Sequence, residues 1–180
     1  MMLYRVNAGY IPPEHWVHDP QQGGGRIIGE VCHFVDFLSF VAESPPIQVY
    51  ASALPNNGRY CDDNIVVTLT FANGSSGMIT YVANGDKSFP KERIEIFGGE
   101  SVAVLDDFRS LELIRNGNHQ VHKARLRQDK GHRSEWEAIV AAVQSGGPEP
   151  IPFNESVTTA QATFAIIESL RTGKAVELRA

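Results

Sequence analysis

At 180 residues, with 42% hydrophobic and 21% charged side chains, the chain is long enough to bury the core of one domain and has the composition of a soluble globular protein. A formal net charge of −5, without any run of Lys or Arg, argues against a nucleic-acid partner, and no apolar stretch approaches the roughly 20 residues that span a bilayer. Cys32 and Cys61 make no disulfide framework and point to a reducing, cytoplasmic setting; the N-terminus lacks the charged and apolar regions of a signal peptide.

Residues 3–8 read as a short strand, directly preceded by the doubled Met1 and Met2, which suggests a start inside a longer protein. A loop with Pro12, Pro13 and Pro20 follows, and residues 26–42 carry a helical period. After Pro45 and Pro46 the period changes to 2. Residues 47–54, 64–71, 77–83, 92–97, 101–106, 111–115 and 119–125 then read as seven strands, several separated by turn signals such as Asn73-Gly74 and Asn116-Gly117. Such short connections suit antiparallel neighbours. A helix over 134–144 carries Trp136, Ile139, Val140 and Val143 on one stripe. The last helix is expected to start after Asn154 as N-cap and to stop near Thr172 and Gly173, with 175–178 as an edge strand. The pattern is α+β: one domain over residues 1–180, an open, mainly antiparallel sheet with helices packed on one face.

The strands alternate imperfectly. Val66 lies opposite Ile65 and Val67, Ile79 and Tyr81 lie opposite Met78 and Val82, and residues 102–105 are apolar on both sides. A sheet with one wet face should alternate more cleanly. A partner subunit or another domain is expected to cover the second face through residues such as Val66, Ile79, Tyr81 and either side of residues 102–105, scattered surface hydrophobes being the plainer alternative.

The richest stretch is the first helix. Measured from His33 at about 100° per residue, Arg26, Gly29, Glu30, Asp36, Phe37 and Phe40 fall within about 60° of it, while Ile27, Val31, Phe34, Val35, Leu38 and Val41 form the opposite apolar stripe. A polar stripe that turns aromatic resembles a pocket wall. Gly23, Gly24 and Gly25 ahead of it permit close backbone approach to a ligand, beside a helix N-terminus that favours negative charge. An imidazole suits proton transfer near neutral pH, and a carboxylate one turn away can set its tautomer. The structural alternatives are a helix-surface Arg26–Glu30 ion pair and a solvated Asp36. His15 and Trp16 in the preceding loop are placed either as a pocket lid or as a buried loop anchor. A dinucleotide fingerprint fails because a G-x-G-x-x-G match from Gly23 needs glycine where Ile28 stands. Neither H-E-x-x-H nor paired C-x-x-C spacing occurs, which leaves a metal site on His33, Glu30 and Asp36 as a minor alternative.

Read together, G-G-G-x-x-x-x-x-x-C-H-x-x-D over residues 23–36, residues 92–99 with the strand pair after them, and residues 168–174 resemble in order the second domain of the Gfo/Idh/MocA oxidoreductases, which include glucose–fructose oxidoreductase and inositol dehydrogenase. The start, residues 4–9, looks like that domain's first strand. The loop with Trp16 is similar to a branch sometimes fused to zinc-dependent alcohol dehydrogenase-like modules. The resemblance implies a parent with a preceding Rossmann domain that holds NAD or NADP and supplies a lysine. This domain then carries the substrate site and packs subunits through its sheet as a dimer or tetramer. It further implies a sugar, nucleotide-sugar or cyclitol substrate oxidised at a secondary alcohol, with His33 and Glu30 catalytic and with Gly23, Gly24, Gly25, Arg26, Asp36, His15 and Trp16 binding substrate. One departure stands out. The aspartate the family often has four residues before the histidine is Gly29 here. Glu30, one position along, is the candidate replacement; the alternatives are altered chemistry or a His33 that only binds substrate. Two further readings differ in class: a non-catalytic binding or scaffold module, and a metal-assisted hydrolase or lyase.

Overall fold

The computed structural model describes residues 1–124 and 128–178. Alternation builds the sheet. In β3 (Asn64–Phe71), Ile65, Val67, Leu69 and Phe71 are buried while Val66, Thr68 and Thr70 face out. The other strands are β1 (Met2–Asn7), β2 (Pro46–Ala53), β4 (Ser76–Val82), β5 (Glu92–Gly98), β6 (Ser101–Asp106), β7 (Ser110–Arg115), β8 (Asn118–Lys123) and β9 (Val176–Glu177). The expected ninth-strand edge and all seven central strands are present, with ends shifted by a residue or two; Arg125, expected at the end of β8, lies outside the described residues.

The sheet order is β8-β7-β6-β5-β1-β4-β3-β2-β9. Every pairing is antiparallel except β1 with β4, which run parallel. That exception needs a long crossover, and the chain supplies it with the first helix and the β2–β3 hairpin. No helix among the described residues is long and apolar enough to cross a membrane.

Two helices pack on one face. In α1 (Cys32–Ala42), Phe34, Val35, Leu38 and Ala42 enter the core, and Phe34 lies against the Tyr4 ring at 4.8 Å. The core half of α3 (Phe153–Thr172) contributes Ala162, Ala165 and Ile166. Its last turn closes as expected on left-handed Gly173, whose N–H donates to the Ser169 carbonyl at 2.8 Å. Its start differs: Pro152 is the cap position and Asn154 lies inside the helix, because the fixed φ of proline already ends the extended segment there. The third helix, α2 (His132–Ser145), buries none of its residues, and Trp136 is 66% exposed.

The open face of the sheet also departs from expectation. Ile79 and Tyr81 are fully buried beneath the helices, paired across β3 with Val67 and Ile65. The apolar residues that point away from the helices include Val66, Met78, Val82, Phe97, Val102, Val104 and Ile114. The misassignment came from counting residues on each side of β4 without its register against β3.

Ser169 ties α3 to the sheet: its hydroxyl accepts from the buried Ala51 N–H at 2.9 Å and donates to the Lys174 carbonyl at 2.6 Å. Ser169→Ala leaves that strand amide buried and unpaired, so urea denaturation is expected to show a loss of about 1–3 kcal/mol.

Candidate functional site

The glycine loop is built for its own backbone. A Cβ on Gly23 would sit 2.5 Å from the Val17 backbone, and Gly24 and Gly25 take left-handed φ of 69° and 89°. Their amides are used within the loop, Gly24 donating to the Asp19 carbonyl and Gly25 to that of Val17, each at 2.9 Å. These glycines turn the chain. Only the side of Gly25 is open, with no atom within 4 Å of where a Cβ would stand.

The helix that follows does not begin as an α-helix. Residues Ile27–Val31 form a π turn, whose i→i+5 bonding inserts an extra residue before α1 begins at Cys32. A wheel drawn at one uniform angle therefore misplaces its first members. Arg26, expected beside His33, points to the other side and is buried to 3% exposure. Its Nε donates to Glu30 Oε1 at 2.8 Å, its Nη1 to the Gly9 carbonyl at 2.8 Å, and it pairs with the buried Asp63 at 3.4 Å. Its guanidinium lies over the Tyr81 ring, 5.1 Å from the centroid. The Tyr81 hydroxyl, buried and without a well-formed hydrogen bond among the described residues, faces the Glu30 carboxylate, and burial pushes its pKa up. Burial alone would also raise the Glu30 carboxyl, but the hydrogen bond and charge of Arg26 outweigh it, helped by Tyr81 and Lys91, and hold it below its ordinary range.

His33 is exposed and opens on a separate groove of about 350 Å³ between the start of α1 and the first half of α3. Ile28, Cys32 and Asp36 line it from one side, and Thr159, Thr163 and Phe164 from the other. Thr159 Oγ1 donates to Asp36 Oδ1 at 3.3 Å, so the carboxylate one turn from His33 is oriented by α3. Burial pushes the Cys32 thiol up, with backbone hydrogen bonds opposing.

The expected site residues thus divide. His33 and Asp36 share the groove; Arg26 and Glu30 form a second cluster; the three glycines shape the loop between. Phe37 leaves the stripe to pack edge-on against Tyr4 at 5.5 Å, and Phe40 is exposed to solvent. His15 and Trp16 are both exposed, which removes the buried-anchor reading, and neither lines the groove. Among the described residues no three His, Cys, Asp or Glu side chains converge as a metal site. Asp63, Tyr81, Thr159 and Lys91 were not legible as site residues, since each arrives from an element far along the chain.

The model of the C-terminal alpha/beta domain of the Gfo/Idh/MocA oxidoreductase family matches residues 2–178. The chain belongs to this family. Solved structures with the same fold include an aldose-aldose oxidoreductase from Caulobacter crescentus complexed with glycerol (14% identity, TM-score 0.79, covering 98% of this chain and 55% of that one). Another is an oxidoreductase from Agrobacterium radiobacter in complex with NAD+, L-tartaric acid and magnesium (15%, 0.74, 98% and 56%). A third is a UDP-N-acetylglucosamine 3-dehydrogenase from Acidithiobacillus ferrooxidans (16%, 0.74, 94% and 52%). The chain spans about half the length of these structures, and at such identities the likeness carries the fold alone. None of the curated proteins matches the chain.

As a Gfo/Idh/MocA C-terminal domain, the chain lacks a carboxylate at Gly29 for no steric reason. A Cβ there would meet only the Gly23 carbonyl oxygen, at 3.9 Å. The carboxylate nearest in sequence, Glu30, is committed to Arg26. Because its folded pKa is depressed, Glu30 stabilises the fold fully above the ordinary glutamate pKa of about 4.3, and that contribution is lost as pH falls through the folded value. In urea titrations, wild type is therefore expected to exceed Glu30→Gln in stability at pH 7, with the gap closing below about pH 4.

Proposed function

We propose that the chain is the substrate-binding and subunit-packing half of an NAD(P)-dependent oxidoreductase. The parent oxidises a secondary alcohol of a sugar, nucleotide-sugar or cyclitol. The observation that carries this reading is the His33 groove: one exposed imidazole, an oriented carboxylate at Asp36, and apolar walls from Ile28 and Phe164 beside the glycine loop. The family and the activities of the solved structures that share the fold support the reaction class, and the NAD+ complex supports the cofactor type.

The residues fit a split site. Among the described residues no glycine-rich turn joins a strand directly to a helix, so this reading assigns the cofactor's phosphates to a preceding Rossmann domain. The apolar walls of the groove suit the flat face of a nicotinamide and a sugar ring beside it. When bound, the nicotinamide accepts the hydride. His33 takes the hydroxyl proton as the C–H bond breaks, and Asp36, held by Thr159, balances the charge that forms on the imidazole. Arg26 and Glu30 brace the start of the helix, so that His33 holds its position. The exposed stripe of α2 and exposed Phe153 and Phe164 give the preceding domain an apolar seat.

In the full-length parent, His33→Ala is expected to lower turnover by about 10²–10⁴-fold while the affinity for NAD(P)H changes little. Steady-state kinetics with a fluorescence titration of NAD(P)H check this, and near-normal turnover would remove His33 from the reaction.

The open sheet face is proposed as the subunit interface. Val66, Phe97, Val102 and Ile114 supply apolar area of the kind that stable homo-oligomers bury, commonly about 1,200 Å² or more in total. Sedimentation of the parent at tens of micromolar is expected to show a dimer or tetramer, and Val66→Glu combined with Val102→Glu to give a monomer.

A further inference from the structure

A second cavity, of about 550 Å³, lies at the end of β1 and is lined by Asn7, Lys87, Lys91, Arg109 and Lys130 among others. Four of its lining side chains are cationic and one, Asp107, is anionic, in a chain whose net charge is −5. Two of the cations have acid partners: Arg109 pairs with Asp107 at 3.2 Å, and Lys130 with the buried Glu92 at 2.5 Å. Lys87 and Lys91 make no ion pair within 4.0 Å among the described residues. Two unpaired ammonium groups in one concave wall attract an anion more strongly than the same charges on a convex surface.

The wall that presents them is fixed. Asn7 is buried, and its Nδ2 donates to the Asp86 carbonyl at 2.7 Å and to that of Phe89 at 3.3 Å. Asp86 in turn caps the loop by accepting from the Ser88 N–H at 2.8 Å. The stem of Lys87 runs over left-handed Gly9, where a Cβ would stand 2.7 Å from its Cε, so a side chain there would displace the lysine. The Arg5 guanidinium, donating to the Pro90 carbonyl at 2.6 Å and lying over the Phe89 ring, holds the loop from its outer side.

The cavity is also linked to the His33 groove. Lys87 lies against Gly9, whose carbonyl accepts from Arg26 Nη1 at 2.8 Å, and Arg26 pairs with Glu30, two residues from both Ile28 and Cys32 in the wall of that groove, which places the Arg26–Glu30 pair between the two. We propose that this basic pocket receives a phosphate or carboxylate substituent of the same substrate whose hydroxyl reaches His33. The role of the substrate rests on the oxidoreductase reading above; the anion site does not.

Calorimetry on the chain without cofactor tests it, with inorganic phosphate, glucose 6-phosphate and glucose as probes. Phosphate and glucose 6-phosphate are expected to bind, glucose at least about tenfold more weakly. Lys87→Ala combined with Lys91→Ala is expected to weaken both anions by about tenfold or more, with an unchanged circular dichroism spectrum, and the paired arginine variant to retain them. Absence of anion binding, or equal binding by the alanine variant, overturns the proposal. So does NADP+ binding that depends on the two lysines when glucose 6-phosphate binding does not, because the anion then belongs to the cofactor. Lysine-dependent binding in a parent that shows no NAD(P)-linked turnover upholds the anion site and overturns the oxidoreductase reading instead.

Discussion

The buried guanidinium of Arg26 organises the functional edge of this domain. It joins four pieces of chain that are distant in sequence: the loop after β1 through the Gly9 carbonyl, the π turn through Glu30, the start of β3 through Asp63, and β4 through the Tyr81 ring. A charge so far from water is tolerated only when its donors are used, and here each of the bonded nitrogens has an oxygen. The π turn follows from the same requirement. It allows Arg26 to turn inward while Ile27 and Val31 still reach the core.

Two kinds of chemistry lie on either side of this network. On one side lies a mostly apolar groove with a single imidazole; on the other, a cavity rich in cations. Glu30 stands between them and is neutralised by Arg26. In this chain the place where the family often has an aspartate is an uncrowded glycine, and the carboxylate that lines the His33 groove is Asp36, oriented by Thr159.

Most of the architecture was legible because it is periodic. Ile65, Val67, Leu69 and Phe71 announce a strand that buries one face, and Phe34, Val35 and Leu38 announce a helix that buries one stripe. The side on which a strand's residues fall was legible only up to register: Ile79 and Tyr81 share the core with β3 because of how β4 pairs, which no local pattern states. The π turn was invisible for a related reason, since Arg26 and Glu30 at i, i+4 look like an ordinary surface pair until Asp63 and Tyr81 arrive from later strands. The lysines of the basic cavity are similarly scattered, Lys87 and Lys91 in one loop and Lys130 some 40 residues on. Charge clusters assembled by topology leave no mark on composition, least of all in an acidic chain.

The position of β1 has a consequence for how the domain assembles. It is the first strand of the domain, yet it sits in the middle of the sheet, hydrogen-bonded on one side to β4 and on the other to β5. Without it, the remaining strands fall into two separate sheets, β2 with β3, β4 and β9, and β5 with β6, β7 and β8, whose members, β9 apart, are consecutive in the chain. Those halves can form early and independently, whereas the strand that joins them must wait for partners 75 residues away in β4 and 86–94 residues away in β5, a late, high-contact-order step. Cooperativity is then concentrated in one six-residue segment. A lesion there uncouples two sub-sheets that each retain much of their own pairing, so the damaged protein is expected to lose its single sharp unfolding transition before it loses its secondary structure.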